Sequence, residues 1–252
     1  MGRGWQGAVM RVLGARDHEL TLLSAHDVCT GFRRLRFSSP TLLAEVAPEP
    51  AAWVRIWFPD PAHPGREVQR GYTIAEADPE TGELDIDVVI HEPAGPASAW
   101  ATTAVPGATV MAQSYGSEPF VADPAARGLL LVGDPSAVPA VNGILRAVPD
   151  VPVELFLEQH HDHERDIPLA PHPSLHVTRV PHSPGALAGS IGSRDWANWQ
   201  VWAAGESAAL RALRALRGRP GGTKANTYLQ AYWIRGRAMG RTRDDTSGPV
   251  PD

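Results

Sequence analysis

Four consecutive residues, Arg70-Gly71-Tyr72-Thr73, carry side chains suited to hold a large planar cofactor. On an extended chain Arg70 and Tyr72 point the same way, so a guanidinium able to neutralise a diphosphate stands beside a phenol able to stack on a flat ring. The adjacent Thr73 hydroxyl can donate to a ring nitrogen. Together these side chains describe a flavin seat, although Arg-x-Tyr-Thr alone is a short motif that an ordinary strand also supplies. Downstream of His91, the turn Gly95-Pro96-Ala97-Ser98 leads into a helix and offers backbone N–H groups and a hydroxyl to phosphate oxygens.

Two other clusters could carry chemistry. In His160-His161-Asp162-His163, imidazoles one and three residues apart can converge on a transition metal, but a solvated loop accounts for them and no metal site is assigned. Between Glu206 and Arg243 the only acid is Glu206, against Arg211, Arg214, Arg217, Arg219, Lys224, Arg235, Arg237, Arg241 and Arg243. Half of that run reads as a solvated helix face. Trp196, Trp199 and Trp202 read as core and interface.

These residues need a frame. In the first half, Thr21 to Cys29, Phe32 to Ser38 and Trp53 to Phe58 are β-rich, and Glu83 to His91 alternates apolar Leu84, Ile86, Val88 and Ile90 with Asp85, Asp87 and Val89, as a half-buried strand does. Turn pairs such as Asp78-Pro79, Thr81-Gly82 and Pro106-Gly107 space the strands as in an antiparallel barrel or sandwich. Past Asp123-Pro124 the pattern becomes strand (Arg127 to Val132), helix (Ser136 to Ala147), strand (Val153 to Glu158), then strands Leu175 to Val180 and Gln200 to Ala204 and a helix Ser207 to Arg217 ended by Gly218. That is a parallel α/β domain. The expected organisation is a β domain over 1–122, an α/β domain over 126–240 and a disordered tail over 241–252.

Composition narrows the class. The chain has 252 residues, 43% hydrophobic and 20% charged, enough for a packed core, and a net charge of -5 that disfavours a nucleic-acid binder. One cysteine, Cys29, can form no internal disulfide and no cysteine zinc or iron–sulfur centre. No apolar run approaches the ~18 residues a membrane helix needs and no export signal is evident, so the expectation is a soluble cytoplasmic protein without a membrane partner.

Taken in order, several short motifs resemble one family. They are Arg70-x-Tyr72-Thr73, Glu83 to His91, Gly95-Pro96-Ala97-Ser98-x-Trp100-Ala101, Val105-Pro106-Gly107, Val132-Gly133-Asp134-x-Ser136-Ala137-Val138-Pro139-Ala140, Trp202-Ala203-Ala204-Gly205-Glu206 and Tyr232-Trp233-x-Arg235-Gly236. The set is similar to the siderophore-interacting proteins, FAD-dependent ferric-siderophore reductases of the ferredoxin-reductase superfamily. The resemblance implies an N-terminal antiparallel six-stranded β-barrel that binds FAD, followed by a parallel α/β nicotinamide-binding domain. It also implies an oxidoreductase that passes electrons from NADH or NADPH to a ferric siderophore and releases iron(II), with chemistry borne by the flavin and no catalytic side chain.

By the same resemblance Arg70 meets the FAD diphosphate, Tyr72 and Thr73 the isoalloxazine, and Ala97 and Ser98 the phosphates beside His91 and Gly95. Gly133, Asp134 and Ser136 form the nucleotide-facing turn, with Gly205 and Glu206 at the end of the next nucleotide-side strand. There is no Gly-x-Gly-x-x-Gly, so nicotinamide binding rests on resemblance. Lys224, Arg235 and Arg237 are the candidates to draw in an anionic ferric siderophore. The chain departs from the family at Ile74-Ala75, where a second Arg is usual, at Gln113-Ser114-Tyr115-Gly116-Ser117, at Pro135 and at Ala231. Those departures keep two alternatives open: the same fold repurposed for a natural-product tailoring reaction, or a non-catalytic flavin- or siderophore-binding protein. The expected assembly is a monomer or weak homo-oligomer.

Overall fold

The computed structural model describes residues 2–4, 14–114 and 117–236. The chain divides into two compact units, one of residues 1–122, 138–150 and 160–174, the other of 123–137, 151–159 and 175–252. Arg237 and the expected tail over 241–252 lie outside the described residues, as do Tyr115 and Gly116.

The first unit is built on a closed antiparallel barrel of β1 (His18–Cys29), β2 (Phe32–Ser38), β3 (Trp53–Pro59), β4 (Glu67–Asp78), β5 (Glu83–Val89) and β6 (Thr109–Gln113), ordered β1-β2-β5-β4-β3-β6. Closure removes the strand edges that an open sheet would expose. Period-2 patterning fills the barrel: Leu22, Leu35, Phe37, Ile56, Phe58 and Ile86 form one buried cluster. Between β2 and β3 lies a single turn of helix, α1 (Pro40–Leu43), and between β5 and β6 the helix α2 (Pro96–Thr103). The helix α3 (Val138–Ala147) also belongs to this unit, where Arg146 Nη2 donates to the Ala75 carbonyl at 2.9 Å.

The outer face of β5 differs from the half-buried strand expected. Asp85 and Asp87 are 2% and 7% exposed. Their cover comes from β2: Arg34 grips Asp87 through Nε and Nη2 at 2.7 and 2.9 Å, and Arg36 grips Asp85 through the same two atoms at 2.9 and 3.0 Å. The antiparallel register sets Arg34 opposite Asp87 and Arg36 opposite Asp85, so each fork meets its carboxylate squarely. Burial works against the Arg34 charge, yet the Asp87 hydrogen bond, with Asp87, Glu76 and Asp85 nearby, leaves its pKa well above the ordinary arginine value.

The second unit is a five-stranded parallel sheet in the order β11-β10-β7-β8-β9, made of β7 (Leu129–Gly133), β8 (Val153–Gln159), β9 (Leu175–Pro181), β10 (Gln200–Glu206) and β11 (Thr227–Trp233). Its helices are α4 (Ala186–Gly192) and α5 (Ser207–Ala212), the latter running on as a 3₁₀ segment to Gly218. Leu130, Val132, Phe156, Trp196, Val201 and Ala203 make its core. Trp196 and Trp199 pack edge to face at 5.2 Å, as the core reading expects, and the Trp199 ring lies so close to Gly128 that an added Cβ would approach it to 2.6 Å.

Removing Arg34 strands the buried carboxylate of Asp87, while Arg36 still holds Asp85. Arg34→Ala should lower the unfolding free energy by about 3 kcal/mol, the scale for breaking a buried ion pair from one side. Denaturant titration followed by tryptophan fluorescence measures it, and a loss under about 1 kcal/mol would mean that water solvates Asp87.

Candidate functional site

On the barrel, Arg70 and Tyr72 stand opposite Ile56 and Val54 of β3, on one face of β4. Tyr72 is half-buried with its ring edge-on to Phe58 at 5.9 Å, and Phe58 in turn meets Trp100 of α2 at 5.7 Å. A chain of three aromatic rings thus ties the strand bearing the Arg-x-Tyr-Thr motif to the helix bearing Ala97 and Ser98. Burial pushes the Tyr72 hydroxyl up to about 12, with the Arg70 charge opposing it. Arg70 Nη1 donates to the Gln69 carbonyl at 2.7 Å.

Two observations bear on whether FAD fits. Thr73 is buried, and its Oγ1 has no hydrogen-bond partner among the described residues, which is costly unless a ligand supplies one. At α2 the N-cap is Gly95 and no side chain caps the helix, so side chains leave the first-turn N–H groups of Ala97 and Ser98 open to an anion. Ser98 is buried and its Oγ accepts from the His91 N–H at 3.4 Å, which brings His91, Gly95, Ala97 and Ser98 together. These donors match a dinucleotide's oxygens, and the Thr73 hydroxyl matches a ring nitrogen.

The departure at Gln113 has a structural explanation. Its side chain is buried on the outer wall of the barrel, accepting from Trp57 Nε1 at 3.0 Å and donating to Asp17 at 2.7 Å. Asp17 and Glu67 both receive Arg3, whose guanidinium lies 5.0 Å over the Trp57 ring. Gln113 therefore serves the wall.

In the parallel sheet, Gly133, Asp134, Ser136, Gly205 and Glu206 also come together at the C-terminal strand ends, where Gly133, Asp134 and Glu206 line a small pocket with Val132, Glu158 and Ala204. Asp134 is 3% exposed. Its Oδ1 accepts from the Ser136 N–H at 2.9 Å and the Ser136 hydroxyl at 2.5 Å, and its Oδ2 accepts from the Glu206 N–H at 3.0 Å and Trp233 Nε1 at 2.7 Å. Glu206 is the N-cap of α5, its Oε2 accepting from the Ala208 N–H and, at 3.1 Å, from the Ala209 N–H. Both carboxylates thus hold protein N–H groups and shape the strand ends.

Two glycines make room for this. Gly205 has φ +141°, and a Cβ there would lie 2.5 Å from Asp134 Oδ2; a Cβ on Gly133 would lie 2.6 Å from the Ala137 Cβ.

The structure does not bring Lys224 and Arg235 together. Lys224 sits in the turn before β11 and Arg235 follows its last residue, so the full strand separates them by about 20 Å at ~3.3 Å per residue. They cannot share one ligand contact. Arg219, in the same basic run, is structural: it donates to the Trp196, Leu216 and Trp199 carbonyls and to Thr227 Oγ1, and burial lowers its pKa. His160 to His163 form a turn in which the His160 N–H donates to Glu164 at 2.7 Å and His161 stacks on His163 at 5.3 Å. Glu158 was not among the expected site residues; its signal in the sequence is an acid closing the apolar strand Val153 to Glu158.

Comparison with known proteins follows this division. Residues 126–236 match the family model of the siderophore-interacting protein, and residues 62–114 that of the siderophore-interacting FAD-binding domain. The mycobactin import ATP-binding/permease protein IrtA of Mycolicibacterium thermoresistibile is 51% identical over 257 residues, covering 99% of this chain and 28% of that protein. The chain thus spans less than a third of that relative's length. The ferric vibriobactin reductase ViuB of Vibrio cholerae is 35% identical over 94 residues, 37% of this chain and 32% of that one. Among solved structures, the siderophore-interacting protein of Acinetobacter baumannii superposes with a TM-score of 0.77 at 23% identity over 89% of this chain and 92% of its own, a likeness of fold. An Amycolatopsis cytochrome P450 reductase, GcoB, has a TM-score of 0.65 at 19% identity over 86% and 70% of the two chains, again a likeness of fold. No helix among the described residues is long and apolar enough to cross a membrane.

Gly205→Ala should cost about 2 kcal/mol or more of stability, because it combines a strained φ with a clash against Asp134, and thermal unfolding against the parent reads it directly. Tyr72 sets an alkaline limit. A phenol whose folded-state pKa is raised stabilises the fold fully below its unfolded pKa of about 10, and that contribution is lost as pH rises from there toward 12. Tyr72→Phe should flatten stability across this window, and a slope unchanged by the substitution would assign the loss to other groups.

Proposed function

Because the chain belongs to the siderophore-interacting protein family, we propose that it is a flavoenzyme passing electrons from NADH or NADPH through FAD to a ferric siderophore, with release of iron(II). The observation that carries this reading is the buried Thr73 hydroxyl, without a hydrogen-bond partner among the described residues, next to Tyr72, which Phe58 and Trp100 join to the uncapped N-terminus of α2.

Each residue then has a physical task. Arg70 neutralises diphosphate charge, and the Ala97 and Ser98 N–H groups take phosphate oxygens at the helix end. Tyr72 presents its ring to a flat heterocycle while Phe58 fixes its tilt. The Thr73 hydroxyl donates to a ring nitrogen. Bound FAD supplies the exchange between a hydride donor and a one-electron acceptor, so no general base is required of the protein.

The substrate is a ferric chelate of hard oxygen ligands, which hold iron(II) more weakly than iron(III). The names of the relatives favour the mycobactin class. The basic C-terminal segment, Lys224 before β11 included, would act on an anionic chelate through a long-range field, which salt screens over ~8 to 10 Å.

The purified protein should be yellow, should bleach when NADH or NADPH is added without oxygen, and should regain its colour with a ferric mycobactin-type chelate. A yellow protein that neither nicotinamide bleaches would overturn the electron path, and a colourless one that takes up no added FAD would overturn the seat. Arg70→Ala should weaken FAD by about 1.5 to 3 kcal/mol, the scale of a charge-assisted contact, in a flavin fluorescence titration.

A further inference from the structure

In the parallel sheet, β7 continues to β8 and β9 on one side while β10 and β11 return to the other, so the order β11-β10-β7-β8-β9 reverses between β7 and β10. Ligands of open α/β sheets bind outside the carboxyl ends of the strands at such a reversal. One side chain crosses that place. The Arg235 N–H lies 3.4 Å from Glu206 Oε1, at the end of β10, while its Nη2 lies 3.1 Å from His182 Nε2. His182 in turn is anchored at the end of β8, where its N–H donates to the Gln159 carbonyl at 2.6 Å. Since β7 lies between β10 and β8, the Arg235 side chain passes over the end of β7, where Gly133 and Asp134 sit. The Trp233 ring lies 5.8 Å beneath the guanidinium.

The imidazole is itself held. His182 Nδ1 meets Glu158 Oε1 at 3.1 Å, and Glu158 is 4% exposed. A ring that donates at Nδ1 to a carboxylate and accepts at Nε2 from a guanidinium uses each nitrogen once, which fixes its tautomer and its plane. Such an acceptor orients Arg235 and brings no negative charge of its own to the guanidinium.

We infer that Glu158 and His182 hold Arg235 across the switch-point crevice, and that Arg235 there meets the diphosphate of the nicotinamide dinucleotide. His182 is a positioning residue acting through Arg235, and Arg235 belongs to the electron donor rather than to the siderophore. A long side chain fixed before binding loses less conformational freedom when the anion arrives. The inference rests on the nicotinamide reading proposed above.

The test uses ADP-ribose and its 2′-phosphate, which carry the diphosphate but no nicotinamide ring, titrated calorimetrically into the intact flavin-loaded protein. Arg235→Ala should weaken the better probe about ten-fold or more, as loss of a charge-assisted phosphate contact does. His182→Ala should weaken it about three- to five-fold, and His182→Gln, whose amide oxygen still accepts from a guanidinium, should recover most of that loss. In the Arg235→Ala background His182→Ala should change nothing more, the signature of a residue that works through its neighbour. An equal loss in both backgrounds, or no loss from His182→Ala where Arg235→Ala has one, would overturn the positioning role. If the wild type binds a probe and ignores both substitutions, the inference falls while the nicotinamide reading stands. If neither probe binds the wild type, the nicotinamide reading falls and takes the inference with it. Thermal unfolding of each variant separates these outcomes from simple loss of fold.

Discussion

The buried carboxylate of Asp134 holds the working end of the parallel sheet. It gathers Ser136, the backbone of Glu206 and the indole of Trp233, and so ties the ends of β7, β10 and β11. Removing an acceptor of this kind leaves buried donors without partners, at about 1 to 3 kcal/mol each. Glu206 can cap α5, and Arg235 can start its path across the crevice, because Asp134 has already fixed where their backbones lie.

Much of the fold was legible in the sequence where patterning and turns agreed. Phe32–Ser38 forms as expected, and the strand from Gln200 runs two residues past the expected Ala204, to Glu206. A closed barrel and a parallel sheet are the two architectures the change of pattern near Asp123-Pro124 implied. Long-range pairing hid the rest. Alternation placed Asp85 and Asp87 outward, but nothing local says that Arg34 and Arg36 would cover them from a strand 49 to 53 residues away.

The two sets of candidate residues were legible to different depths. On the barrel the Arg-x-Tyr-Thr quartet names its own neighbours, and the structure adds Phe58 and Trp100 as the bridge between strand and helix. In the sheet, closeness in sequence did not carry over to closeness in space. Lys224 and Arg235 are close in sequence and share a charge, yet a strand in between carries them to opposite ends. His182, far from Arg235 in sequence, is the residue that touches it.

Gly205 and Gly133 impose a constraint of a different kind. Gly205 packs against the Asp134 carboxylate and Gly133 against Ala137, each so tightly that a side chain would have to displace its neighbour. Substitution histories at positions 134 and 205 should therefore be linked. A lineage that replaces Asp134 with a smaller residue removes the oxygen that Gly205 must clear, and only then does position 205 become open to drift, within what its backbone angle allows. The order of changes is biased one way, because losing the glycine first strains the sheet end against Asp134. Among distant homologues, the identity of residue 205 should record whether the carboxylate at 134 was ever given up.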